Sequence, residues 1–147
     1  AAANAAPDPN TITFAIPGAW VHTIAPATPL PIITTPVTID GLSQPGAVSM
    51  APTINIDGRF MQHFASNATD DTPGTYIGLA PGFEVVASDV TIRGLGINRF
   101  PGPGVFVFNG TNNVRVEDNA IGAGRPGVMT WPSNNMGVWL NYGTNHV

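Results

Sequence analysis

Seven charged residues lie in or beside β-branched runs and are the first candidates for chemistry: Asp40, Asp57, Asp89, Arg93, Arg115, Glu117 and Asp118. Hydrolysis of a polysaccharide needs two carboxyl groups about 5 to 10 Å apart, one protonating the leaving oxygen and one attacking or activating water. A calcium-dependent elimination instead needs several oxygen ligands around one cation and a basic residue to take the proton. If the chain is an enzyme, Asp57, Asp89, Arg93 and Glu117 are the residues expected to carry the reaction. The spacing also supports a plainer reading. Val90-Thr-Ile-Arg93 and Val114-Arg-Val-Glu117 align 24 residues apart, placing Arg93 beside Glu117. On adjacent strands about 4.8 Å apart they form a surface ion pair, worth under about 1 kcal/mol, and not an acidic cluster.

Other reactive groups are sparse. The histidines, His22, His63 and His146, are far apart and lack ligand spacing, and there is no Cys, so no metal site and no disulfide is expected. Neither a serine nucleophile elbow, a Gly-rich phosphate loop nor a calcium loop is present, and no cofactor is implied. Aromatic residues offer a binding reading. In Gly104-Val-Phe-Val-Phe108 and Gly137-Val-Trp-Leu140, one alternation buries Val105, Val107, Val138 and Leu140 and stacks Phe106 and Trp139 outside. The opposite alternation buries Phe106, Phe108 and Trp139. The outward arrangement, with Trp131 nearby, would make a sugar-stacking patch from Phe106, Trp131 and Trp139.

The chain has 147 residues, 43% of them hydrophobic and 10% charged, with a net charge of -4 and no Lys. That is enough to bury the core of one domain, spanning 1–147. Five arginines make no cationic stripe, which excludes nucleic acid as an expected partner. No apolar run approaches the roughly 18 residues of a membrane span, so no membrane insertion is expected. Ala1 to Pro7 lacks the cationic start and apolar core of an export signal, so any signal was removed or lies upstream.

The residues above must be positioned by short elements. Ala1 to Ala6 has the composition of a helix end, and Thr11-Ile-Thr-Phe-Ala-Ile16 alternates as a strand with Ile12, Phe14 and Ile16 on one side. Residues 1–18 thus read as a partial cap and first strand, and 19–64 as the first coils. Val37-Thr-Ile-Asp-Gly41 is the first clear rung, and Asn55-Ile-Asp-Gly58 repeats its ending 17 residues later, close to one short coil. Residues 65–81 read as a loop excursion, with Phe60, Met61 and Phe64 covering the side of the coil. Residues 82–147 read as regular coils. There Val90, Ile92 and Ile97 align with Val114, Val116 and Ile121 at a spacing of 24, and Gly104 to Val114 is echoed by Gly137 to Val147 at 33. Two spacings for one pattern mean a constant core with a variable loop. Gly94 aligns with Asp118 at a corner that favours left-handed backbone, and Asn119 beside it is expected to turn inward and bond the main chain of neighbouring coils. The fold expected is all-β: a right-handed single-stranded parallel β-helix of about four to six coils with a partial N-terminal cap.

Three stretches carry a family resemblance: Ala2-Ala-Asn-Ala-Ala6 with Thr11 to Gly18, Leu30-Pro-Ile-Ile-Thr-Thr-Pro-Val-Thr-Ile-Asp-Gly-Leu-Ser-Gln-Pro-Gly46, and Val90 to Phe100. Together they resemble the bacterial surface and secreted right-handed parallel β-helix proteins of pectate-lyase-like architecture, whose first coils are headed by a cap with a Cys-Ser-Leu-Arg-Glu-Ala signature. That hexapeptide is absent here, and Val147 falls in mid-repeat, so the resemblance implies a fragment truncated at both ends. It also implies export, an extracellular or cell-surface location and a passenger or stalk role. The expected function is a non-catalytic structural or self-associating segment, with a homo-oligomer or fibre formed through the coil ends, or a polysaccharide, as the partners to look for. The alternatives are a polysaccharide lyase or glycoside hydrolase and a glycan-binding module.

Overall fold

The computed structural model describes residues 2–5, 9–49, 51–61, 79–122 and 134–141. They form an all-β architecture with one helical turn, α1 (Ala2–Ala5), and a single 3₁₀ turn at Gly41–Ser43. Three parallel sheets account for the strands. The first contains β1 (Asn10–Thr13), β3 (Val37–Asp40), β6 (Val90–Arg93) and β9 (Arg115–Glu117) in spatial order. The second contains β2 (His22–Ile24), β4 (Ile54–Asp57), β7 (Leu95–Asn98) and β10 (Ala120–Ile121). In the third, β5 (Phe83–Val85), β8 (Pro103–Val107) and β11 (Met136–Leu140) are joined by a parallel bridge from Ile33 to Val85. Followed from the N-terminus, the described chain visits the first, second and third sheets in turn and then begins again.

Alternation decides which side chains meet. Val37 and Ile39 are buried while Thr38 and Asp40 are half-buried, and β6 repeats the pattern with Val90 and Ile92. Parallel register sets Val37 on Val90, Ile39 on Ile92 and Ile92 on Val116, so β-branched residues form continuous stacks. Across the second sheet Ile56 meets Ile97, and Ile97 meets Ile121. The spacing of 24 therefore marks true neighbours in these two sheets. The spacing of 33 does so in the third, where Val138 lies on Val105 and Trp139 on Phe106. Its extra length lies in the longer connection between β10 and β11.

Two sequence expectations need correction. The echo between Val37 to Gly41 and Asn55 to Gly58 does not mark stacked coils, because β3 belongs to the first sheet and β4 to the second. The strand expected over Thr11 to Ile16 ends at Thr13, and Phe14 and Ile16 are half-buried against the core. Side chains take over their backbone groups: Phe14 N–H donates to Ser43 Oγ at 2.7 Å and Ile16 N–H to Gln44 Oε1 at 2.9 Å. Met61 is buried, Phe60 is exposed, and the loop core from Ala65 to Gly74, with Phe64, lies outside the described residues.

Candidate functional site

The charged candidates are built into the corners and outer faces of these sheets. Asp57 ends β4, and its side chain is fully buried. It accepts from Arg59 N–H at 3.0 Å, Arg59 Nε at 2.9 Å and Arg99 Nε at 2.7 Å, with the Nη2 of both arginines completing the cluster. A buried carboxylate needs such partners to offset its lost hydration. Asp57 is thereby held by two guanidiniums at the corner leaving the second sheet. Asp89 sits at a different corner, entering β6, with left-handed backbone (φ 57°) and Oδ1 accepting from Asn113 Nδ2 at 2.6 Å. The fold does not gather these two candidates into one outward pair.

Arg93 and Glu117 are register partners, as their spacing requires. The ion pair, however, is made on the other side. Arg93 Nε donates to Asp40 Oδ1 at 3.0 Å and Nη2 to Oδ2 at 2.8 Å, a two-point contact that corrects the expected Arg93–Glu117 pair. Asp40 is already oriented, because its Oδ1 accepts Leu42 N–H at 3.0 Å. The hydrogen bond from Arg93 holds the Asp40 carboxyl below its ordinary 3.8, against opposing desolvation, with Coulomb attraction and the Leu42 and Ser43 backbone adding to the effect. The hydrogen bond to Asp40 likewise raises Arg93, with smaller contributions from the charges of Glu117 and Asp118. A sequence signal for this pair exists: Val37-Thr-Ile-Asp-Gly-Leu42 and Val90-Thr-Ile-Arg-Gly-Leu95 differ only at Asp40 and Arg93.

Gly94 and Asp118 both take left-handed backbone, at φ 68° and 54°, and Asp118 Oδ1 accepts from Ser49 Oγ at 2.6 Å. A Cβ on Gly94 would overlap Leu42. Asn119, next along, accepts Leu95 N–H at 2.9 Å and donates to Ile92 C=O at 2.7 Å. Three further amide side chains make the same double contact with main chain from another part of the sequence. Asn4 bonds Ile32 C=O and Thr34 N–H; Gln44 bonds both backbone groups of Ile16; Asn134 bonds Ile97 C=O and Phe100 N–H. Each meets one donor and one acceptor at a place where the strand ladder is interrupted. Asn4, Gln44 and Asn134 lie outside the 24-residue alignment, which is why that alignment points to Asn119 alone.

The aromatic candidates on β8 and β11 divide. Val105 and Val107 are fully buried, and Phe106 faces the opposite side, half-buried. Its ring lies 5.0 Å from Trp139 and 5.3 Å from Phe108, centroid to centroid. Trp139 is 37% exposed and packs on Phe106, but Val138 and Leu140, which the outward alternation would bury, are 42% and 48% exposed, so the expected alternation does not hold on β11, the edge strand of the third sheet among the described residues. On the other side of Phe106 stands Glu84, buried and in register. Trp131 lies outside the described residues, as do His63 and His146.

Among the described residues, no group of three or more His, Cys, Asp or Glu is placed to hold a metal ion. No described helix is long and apolar enough to cross a membrane. In comparisons with known proteins, no protein-family model, curated protein or solved structure matches the chain.

Proposed function

We propose that the chain is a non-catalytic structural segment of an exported or cell-surface protein, built as a single-stranded, right-handed parallel β-helix with a partial N-terminal cap. The supporting observation is the double amide contact. Gln44, Asn119 and Asn134 each fasten one pass of the chain to the preceding one, and Asn4 fastens α1 to the backbone around Ile33, so these polar groups are devoted to holding the passes in place. Asp40 and Asp57 are likewise engaged by arginines. The three-sheet order and the motif resemblance to bacterial surface β-helix proteins agree with a stalk or passenger role. The segment self-associates through β11, where Met136, Val138 and Leu140 are 41%, 42% and 48% exposed although the last two align with buried Val105 and Val107.

A panel of polysaccharides assayed for reducing-end and unsaturated-product release tests this reading, with Asp89→Asn and Glu117→Gln as controls. No turnover is expected. Turnover lost in either variant would overturn the proposal in favour of a carbohydrate-active enzyme.

A second reading, a glycan-binding module, is favoured by the outward Phe106–Trp139 pair. Calorimetric titration with the same panel would show saturable binding without turnover, abolished by Trp139→Ala, if that face is a sugar platform.

A further inference from the structure

The outer face of the second sheet carries polar chemistry that the scaffold reading does not use. Ile54 and Ile56 fill the core, so Thr53, Asn55 and Asp57 occupy the opposite face of the chain. Asn55 pairs in register with Gly96, and Asp57 with Asn98. Asn55 and Asn98 are both 3% exposed, in surroundings where unpaired polar groups are costly. They share one hydrogen bond, from Asn98 Nδ2 to Asn55 Oδ1 at 2.8 Å. Among the described residues the other half of each carboxamide has no hydrogen-bond partner: Asn55 Nδ2 and Asn98 Oδ1 are buried and unpaired, and so is Thr53 Oγ1. Three such atoms on one face of adjoining strands are an exception to the rule that buried polar groups are paired. Gly96 helps maintain the arrangement, because a Cβ there would stand 2.7 Å from Asn55 Oδ1.

We propose that Asn55 and Asn98 form a binding site for a neutral hydroxyl oxygen. One oxygen accepting from Asn55 Nδ2 and donating to Asn98 Oδ1 closes the ring that the single amide–amide bond leaves open. Asn55 and Asn98 give this oxygen two partners, within the two to four that a buried oxygen typically has; Thr53 lies four residues along the chain from Asp57, the register partner of Asn98, and does not reach it. The pairing is selective by chemistry. A carboxylate or phosphodiester oxygen has no proton for Asn98 Oδ1, while a metal cation or ammonium cannot accept from Asn55 Nδ2. A hydroxyl does both. The adjacent Asp57 is tied to Arg59 and Arg99, so it does not compete for the oxygen, and the Arg59 side chain, 44% exposed, carries this cluster to solvent.

The hydroxyl has two sources, water and a saccharide or polyol, and one experiment separates them. In the ¹⁵N-labelled full chain, cross-relaxation from water to the Asn55 side-chain NH₂ is measured, then repeated with glycerol and with the oligosaccharide panel. A water cross-peak of long-residence sign, unchanged by the additions, establishes the site and assigns it to water. Loss of that cross-peak together with shifted Asn55 and Asn98 NH₂ resonances establishes it and assigns a saccharide hydroxyl. Neither a water cross-peak nor a saccharide shift overturns the proposal. Asn98→Leu removes the acceptor and is expected to abolish the signal; its persistence in that folded variant overturns the shared-oxygen geometry. The wild-type measurement decides alone if the variant does not fold.

Discussion

Truncating Asn119 to Ala would leave Leu95 N–H and Ile92 C=O without the side chain that now bonds both. Each abandoned group carries a desolvation cost, so urea unfolding of Asn119→Ala is expected to show a loss of about 1 to 3 kcal/mol. A loss under about 0.5 kcal/mol, typical of an ordinary surface change, would mean that the contact does not hold the turns together. Asp40 gives a pH-dependent counterpart. Its folded pKa is lowered from 3.8, so the Arg93 contact stabilises the fold above that value and is lost as pH falls through the folded pKa. Wild type should exceed Asp40→Asn in stability most clearly above pH 3.8 and converge with it in stronger acid, as read from denaturant unfolding across pH. A constant difference would remove the ion pair as its cause. Asn119 was legible because the 24-residue alignment sets it beside a corner. The partner of Arg93 was misread because that same alignment shows only the neighbour on one side; Asp40, on the other, lies 53 residues earlier.

At the scale of the strand, truncation to Ala should have unequal consequences in different rungs. Ile92 is fully buried between Ile39 and Val116, and Ile92→Ala should cost about 2 to 5 kcal/mol. Val138, aligned with Val105 but 42% exposed, should lose much less on truncation to Ala. Equal losses in equilibrium unfolding would contradict the assignment of β6 to the interior and β11 to an uncovered face. The inward stacks were readable because β-branched residues recur at fixed offsets. The extent of β1 was not, since Ser43 and Gln44, distant in sequence, capture the Phe14 and Ile16 amides. Nor could spacing distinguish β4 from a stacked copy of β3: alternation gives a strand and its two faces, but not which sheet it joins.

For the whole molecule, the uncovered β11 face sets the expectation of self-association. Light scattering over a concentration series should show mass rising above 15.3 kDa, with the rise abolished when Val138 and Leu140 are both changed to Lys and the fold is retained. A constant 15.3 kDa at high micromolar concentration would reject it. The central claim is that successive passes of the chain stack in parallel and in one register, and the lack of cysteine makes it directly testable. Thr91 and Arg115 are parallel register partners in neighbouring strands of the first sheet. A strand separation of about 4.8 Å lies within the Cα range a disulfide accepts. The decisive measurement is mild oxidation of the Thr91→Cys/Arg115→Cys variant beside a Thr91→Cys/Val116→Cys control, which points the second thiol to the opposite face. Stacking in this register predicts an intramolecular disulfide, seen by non-reducing electrophoresis and mass spectrometry, in the first variant and not in the control. Crosslinking of the control alone, or of neither folded variant, would contradict it.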